Sequence, residues 1–405
     1  MELVSLTMLD RDTRAALEWS DGKQAQVELE HEAGECIFLG RLDEPGSLVL
    51  VTGCPGEQRS IQIQSPLHGD TLATLERGQL WPVKQLHVGD QDYVEKHWNN
   101  ESIPHRQKRE YVENDAFINL VSSMSIDISS PIEMPERLGL SVHVHMAPSW
   151  IEGFGGFEDG KRKAKEVLFH TTSFFQHSSL VTKINLDYRD IDFFQSPIDL
   201  APLPENLHKL EPYIHTPPDK AGVNVYLTKR AAGNYAGYAK LSSVCFDSKP
   251  SSISKWLGSA VETGQLVAHE IGHNIGFYHD FDTRSVYGRT RTCGPGMLNS
   301  GPDNDLMNYG SVQSKWSSCS NEDFRNFYTV IEAANRGFCL PEPSDDRSPE
   351  PPKQPQTSNP TSFPEFTNPF DFFNIQNQLE SIKSIHTQNP NNFNFDWTFQ
   401  FKFGK

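Results

Sequence analysis

A chain of 405 residues with 36% hydrophobic content and a formal net charge of −17 has apolar material for one large core and a smaller domain. Its acidity argues against nucleic acid as a main partner, because phosphate binding needs basic patches. No segment of the sequence has the length of an apolar membrane span. The six cysteines, Cys36, Cys54, Cys245, Cys293, Cys319 and Cys339, form no Cys-x-x-Cys pair, which disfavours a cysteine-ligated zinc site or a dithiol redox motif. Their even number and dispersed placement fit three disulfides in an oxidising compartment.

Residues 1–109 read as mostly β. Alternating runs such as Gln26-Val27-Glu28-Leu29 and Leu48-Val49-Leu50-Val51 lie between Gly and Pro turns, and Cys36 and Cys54 fall on neighbouring strands and could pair. Met1 to Trp19 carries Glu2, Asp10, Arg11, Asp12 and Arg14 and no apolar run of signal-peptide length. Since the cysteines point to export, the true start is expected to lie upstream. Asn100-Glu101-Ser102 is a glycosylation sequon. Arg106-Gln107-Lys108-Arg109 is a compact basic cluster in polar, Asn- and Pro-containing surroundings, a natural exposed linker. It resembles the recognition sequence of furin-type proprotein convertases, which implies cleavage after Arg109.

Residues 110–340 alternate strand and helix. Ser141 to Met146, Lys183 to Phe193 and Val223 to Leu227 read as strands. Lys161 to Phe175 reads as a helix, with Lys161-Arg162-Lys163 as a solvated charge run on it, and Ser252 to Phe277 as one long helical region ending at Gly276. The alternation predicts α/β layering around one sheet. Pro341 to Pro364 is Pro-, Ser- and Gln-rich and is expected to be extended. Beyond it Phe393, Phe395, Trp397, Phe399, Phe401 and Phe403 alternate with other residues. That is strand periodicity with an aromatic face; the reading adopted is a disordered tail of biased composition, with a docking strand as the alternative.

The chemistry concentrates in His269-Glu270-Ile271-Gly272-His273-Asn274-Ile275-Gly276-Phe277-Tyr278-His279-Asp280. Histidines four apart share one face of a helix and can reach one zinc ion. Gly276 tolerates the left-handed turn that ends such a helix and so brings His279 round as a third ligand. Three protein ligands leave a fourth position open, as catalytic zinc requires. Zinc lowers the pKa of a water to roughly 7. Glu270, next to the first ligand, can take that proton and later hand it to the leaving amine.

This segment resembles the metzincin zinc endopeptidases, whose pattern is His-Glu-x-x-His-x-x-Gly-x-x-His followed by a methionine turn. Asp280 and Asn274 look like the adamalysin (reprolysin, ADAM-type) family within them. The resemblance implies that Asp280 orients the structure around the helix end. It also implies that Met307, in Leu306-Met307-Asn308-Tyr309, is the methionine of the turn and an apolar floor beneath the ligands; Met297 is the other candidate. Tyr235 to Leu241 resembles the family's edge strand, which implies peptide or protein substrates bound in extended form. The same resemblance pairs Cys245 with Cys339 and Cys293 with Cys319, and places the start of the mature domain at Tyr111-Val112-Glu113. Gly34-Glu35-Cys36 and Gly53-Cys54 are similar to the family's propeptide. Its cysteines lie far from the cleavage site, so latency is expected from steric cover of the cleft rather than from a cysteine on zinc. Gly222 stands where family members often carry a calcium-binding aspartate; calcium is therefore not predicted, although Glu113 could supply one ligand.

The expected fold is α+β: a twisted mixed sheet with helices, a zinc helix, a smaller subdomain after Gly276, and a β-rich propeptide before them. The expected domains are residues 1–109 (propeptide), 110–340 (catalytic domain) and 341–405 (Pro-rich linker and aromatic tail). The expected activity is that of a secreted, monomeric zinc endopeptidase acting on extracellular proteins.

Overall fold

In the computed structural model the described residues are 3–9, 14–31, 36–83, 111–112, 121, 132–214, 222–231, 235–247, 249–280, 305–308 and 314–341. The sequon, the Arg106–Arg109 cluster, Glu113, Cys293, Met297, Tyr309 and the tail from residue 342 lie outside them.

The first strands are β1 (Leu3–Leu9), β2 (Arg14–Trp19), β3 (Gln24–His31), β4 (Ile37–Gly40), β5 (Leu48–Thr52), β6 (Arg59–Gln64), β7 (Thr71–Glu76) and β8 (Gln79–Pro82). They pair in chain order as an eight-stranded antiparallel sheet. Leu17, Trp19, Val27, Phe38, Val49, Val51, Ile61 and Ile63 share a core between its strands. Cys36 and Cys54 flank β4 and β5 and are joined by a disulfide with Cα atoms 4.8 Å apart, as the sequence suggests.

The second sheet has strands β9 (Tyr111–Val112), β10 (Arg137–Met146), β11 (Lys183–Asp187), β12 (Phe193–Gln195), β13 (Gly222–Thr228), β14 (Gly237–Lys240) and β15 (Ser251–Lys255). Its order is β11-β10-β13-β15-β14-β9, with β12 also beside β10. All pairings are parallel except β14 with β15. The period-two pattern of β10 explains its place: Leu138, Leu140, Val142, Val144 and Met146 all enter one core, while His143 and His145 turn to the other face.

Helices α1 (Pro148–Phe154), α2 (Phe157–Phe175), α3 (Pro204–Leu210), α4 (Ala260–Asn274) and α5 (Ser318–Ala333) complete the described secondary structure, with short 3₁₀ turns. α2 and α4 lie along each other against the second sheet. Gly264 makes the close approach possible: a Cβ there would lie 2.6 Å from the Cβ of His170. Thr171 Oγ1 on α2 donates to the Gly264 carbonyl at 3.1 Å. β6 and β7 of the first sheet pack on α4 from another side. The chain is therefore a mixed α+β protein.

The structure corrects several elements of the sequence reading. Ser252 to Phe277 is not one helical region. Ser251–Lys255 is the strand between β13 and β14, and only Ala260–Asn274 is helix. Gly258 at φ 107° breaks the chain between them. Ser259 then caps α4: its hydroxyl accepts from the Glu262 backbone N–H at 3.2 Å and donates to the Glu262 carboxylate at 2.6 Å. The strand read from Lys183 to Phe193 is β11 and β12, separated by a 3₁₀ turn in which Arg189 N donates to Asp192 Oδ2 at 2.7 Å. Lys161-Arg162-Lys163 is not a solvated run. Arg162 forks onto Glu57 at 2.9 and 3.2 Å, and Lys163 is buried beside Glu166 at 2.7 Å.

Candidate metal centre

α4 is buried on every side; Glu262 is its one residue that is not. Its C-terminus closes as a Schellman motif. Gly276 N donates to the His273 carbonyl at 3.0 Å and Phe277 N to the Gly272 carbonyl at 2.9 Å. Gly276 takes φ 97°, the left-handed backbone the sequence assigns to it. A Cβ there would sit 2.9 Å from the Phe327 side chain. The chain then returns past the helix end and delivers His279.

The three histidines meet. His273 Nε2 lies 3.1 Å from the Nε2 atoms of both His269 and His279, and His269 and His279 are 3.3 Å apart. Tetrahedral coordination with Zn–N bonds of about 2.0–2.1 Å separates ligand nitrogens by about 3.3 Å, so this triangle has the size of a zinc face. Among the described residues these three form a group able to hold an ion. The tautomers follow from the partners. His269 Nδ1 donates to the Leu306 carbonyl at 2.8 Å and His273 Nδ1 to the Phe277 carbonyl at 2.7 Å. A carbonyl only accepts, so both protons sit on Nδ1 and the Nε2 lone pairs point inward.

Burial disfavours the charged imidazolium and drives His269 down to about 4, against the pull of its Leu306 hydrogen bond. The same desolvation, with the neighbouring His269, carries His273 well below the ordinary range. Neutral, inward-facing imidazoles are the donor set that a borderline-soft dication requires. The residues present fit zinc.

Glu270 is fully buried on α4, and its carboxylate packs against Gly237 at the start of β14. A Cβ added at Gly237 would lie 2.1 Å from Glu270 Oε1 and 2.7 Å from Cδ. No sequence motif marks this contact, which appears only when β14 and α4 come together. Asn274 locks the same junction: its amide donates to the carbonyls of Lys240 at 2.9 Å and Ser251 at 3.1 Å and to Ser243 Oγ at 3.0 Å.

Beneath the helix, Met307 is fully buried, with its sulfur 3.1 Å from where a Cβ on Gly272 would stand. Its carbonyl accepts from Asp280 N at 3.2 Å. The Asp280 carboxylate accepts from Ser317 Oγ, the N-cap of α5. Tyr278 N donates to Asp323 Oδ2 on α5 at 3.0 Å. Phe277 meets Trp316 edge-on at 5.0 Å.

β14 is not an open edge throughout. β9 runs parallel beside Ala239 and Lys240. Cys319 is disulfide-bonded, and the partner implied for it, Cys293, lies outside the described residues. Cys245 and Cys339 stand side by side as thiols; burial pushes Cys245 up, and the hydrogen bond from Cys245 draws Cys339 down. Gly222 has no room for a carboxylate side chain, since a Cβ there would meet the Ser141 carbonyl at 2.8 Å.

Residues 203–329, which run from α3 into α5 and hold the three histidines, match the model of the reprolysin-like metallopeptidases of family M12B. The match spans less than a third of the chain. Members of that family are zinc-dependent, and the described residues include the group His269, His273 and His279. Human disintegrin and metalloproteinase domain-containing protein 9 is 34% identical over 119 residues, spanning 29% of this chain and 13% of that protein. The crystal structure of metalloproteinase-II from Bacteroides fragilis aligns at a TM-score of 0.33 and 13% identity, covering 78% of this chain and 88% of its own. A chaperone-substrate complex aligns at a TM-score of 0.32 and 13% identity, covering 49% of this chain and 36% of its own.

Proposed function

We propose that the protein is a zinc-dependent endopeptidase with Glu270 as its general base and His269, His273 and His279 as its metal ligands. The observation that carries this is the triangle of Nε2 atoms 3.1 to 3.3 Å apart on a helix that also places Glu270. When bound, zinc would act as a Lewis acid toward a peptide carbonyl and make water a better nucleophile near neutral pH.

The chain's own groups do the rest. Leu306 and Phe277 orient two ligand rings through their carbonyls. The Glu270 carboxylate takes the proton of the attacking water and passes it to the departing amine. Gly237 leaves the space that carboxylate occupies. Backbone groups of β14 ahead of Ala239 bind an extended substrate by strand addition, and neighbouring pockets read its side chains. Met307 and Gly272 supply the apolar floor, and Asp280 anchors the chain after the third ligand.

The rest of the reading is a secreted, monomeric precursor cut after Arg109 by a proprotein convertase, with residues 1–109 as the propeptide and 110–340 as the catalytic domain. Its support is the cysteine usage, the paired Cys36 and Cys54 and the basic cluster. In an oxidising compartment the adjacent Cys245 and Cys339 are expected to join as a disulfide, and mass analysis with and without reductant would count the bridges.

Peptide hydrolysis by the protein, alongside Glu270→Ala with zinc measured on both, tests the proposal. Hydrolysis that stops with a chelator and falls by about 10²–10⁴-fold in the variant, with zinc retained, is the expected result. A wild-type protein that holds one zinc yet cuts no member of a diverse peptide library would make it a zinc-bearing binding protein instead.

A further inference from the structure

The first sheet is buried on both faces where it meets the rest of the chain. Cross-strand partners in an antiparallel sheet point the same way, so its rows can be read from the register. Phe38, Val51, Ile61 and Ala73 form one row and belong to the sheet's own core. The adjacent rows point the opposite way: Leu39, Leu50, Gln62 and Leu72, then Ile37, Thr52, Ser60 and Thr74. All eight of these outward residues are buried as well. An antiparallel sheet that ends at solvent shows polar residues on that side; this one instead carries a fitted surface.

What it fits is α2 and the start of α4. His170 is fully buried between the layers. Its Nδ1 donates to Gln62 Oε1 at 3.0 Å, and its Nε2 accepts from Thr52 Oγ1 at 3.0 Å. Ser173 Oγ donates to the same Gln62 oxygen, and Gln64 Nε2 donates to the Ser173 carbonyl at 2.9 Å. Ala260 N, an N–H at the helix start with no partner inside α4, donates to Ser60 Oγ at 3.0 Å. Leu72 enters the core of the second sheet, and Glu57 takes the fork of Arg162.

These contacts fall on α2 and on the first turn of α4. His269 is nine residues further along that helix, about 13 Å at ~1.5 Å per residue. One arm reaches closer. The Asp70 carboxylate pairs with His177 Nε2 at 3.0 Å and accepts from Ser314 Oγ. The next residue, Lys315, offers its carbonyl to Leu306 N at 2.8 Å, and Leu306 in turn holds His269 Nδ1.

We infer that residues 3–83 are a permanent layer of the enzyme that stays bound without a covalent link after cleavage at Arg109, with Asp70 as a positioning residue for the metal centre. This rests on the cleavage proposed above. A propeptide acting only as a cover for the cleft needs no hydrogen-bonded surface on the helices behind it. The buried leucines and the paired polar groups of both layers would all return to water on separation.

The test is to cut the full chain with a furin-type convertase and follow the fragments by denaturing gel and by size-exclusion chromatography at micromolar and nanomolar concentration. The inference expects the two fragments to co-elute one to one at both, and Leu50→Arg to release the N-terminal fragment. Separation of the wild-type fragments on cutting would overturn it. A chain that the convertase leaves whole refutes only the cleavage proposal. Retention is then read on a chain whose residues 106–109 are replaced by the recognition sequence of a viral processing protease.

For Asp70, zinc affinity is measured by chelator competition. Asp70→Ala should weaken it by about 10–100-fold, and Asp70→Asn, which keeps an acceptor for Ser314, should restore most of the loss. Equal zinc affinity in Asp70→Ala and the wild type would remove the positioning role.

Discussion

Two sets of buried histidines invite comparison. His269 and His273, at the end of α4, and His170, between the sheets, are all buried and all held below their ordinary pKa by desolvation. They differ in what the ring nitrogens face. Each nitrogen of His170 meets a neutral side chain, Thr52 on one side and Gln62 on the other, and the ring joins two layers. In the other set Nδ1 is engaged by a carbonyl, while the Nε2 atoms converge on one another and on His279. Lone pairs 3.1 Å apart repel unless a cation lies between them. Burial and a lowered pKa therefore do not mark chemistry; the partner of each nitrogen does.

His279→Ala breaks the comparison most severely. It should cost both zinc and hydrolysis, beyond the ~10–100-fold that loss of a ligand's supporting hydrogen bond costs. Zinc content after dialysis is the check, and His170→Gln should hold as much zinc as the parent.

Gly237→Ala sharpens the difference between holding the metal and using it. The added Cβ displaces the Glu270 carboxylate, and a misplacement of about 1 Å can cost ~10²-fold. The expected loss is in kcat, with zinc content unchanged.

Acid should act through His170. The unfolded chain protonates this ring near 6.5, the folded one only near 3. Between those values the unfolded state binds more protons, so stability is full above the window and is lost as the pH falls through it. The groups facing His170 are Thr52 and Gln62, with Lys163 adding a further downward push. Urea midpoints from pH 7 to 4 should fall less steeply in His170→Gln than in the parent, both saturated with zinc. Equal slopes would show that the ring is not buried in neutral form.

The smallest effect belongs to Gly276→Ala. An alanine held in the left-handed region against Phe327 should lower stability by about 1–3 kcal/mol, read from the thermal midpoint, with zinc still bound by the folded fraction.

Much of the site was legible in the sequence because it is local. Histidines four apart, a glycine three residues later and a third histidine after it specify helix, turn and return within one short stretch. That stretch needs only the α-helical period and the left-handed tolerance of glycine. The strands of the first sheet and the pairing of Cys36 with Cys54 were also open to reading, from alternation and adjacency. The long helix expected over Ser252 to Phe277 was wrong because Ser251–Lys255 has no apolar run; its place as a central strand comes from its neighbours β13 and β14. The helix α5 could have been read from the spacing of Phe324, Phe327, Tyr328 and Ile331 behind the Ser317 cap.

Sequence alone thus named the three histidines proposed as ligands, their order and the glutamate proposed as base beside them, since their spacing depends on backbone geometry within a few residues. Only the tertiary structure decided that Gly237 faces Glu270, that the carbonyls of Leu306 and Phe277 fix the tautomers of His269 and His273, and that Arg162 and Lys163 meet Glu57 and Glu166 rather than water. It alone gave His170 its two partners in the first sheet. Apart from the His273–Phe277 pair and those of Arg162 and Lys163 with Glu166, those contacts join residues tens to hundreds of positions apart, and no local pattern encodes which distant surface a side chain will meet.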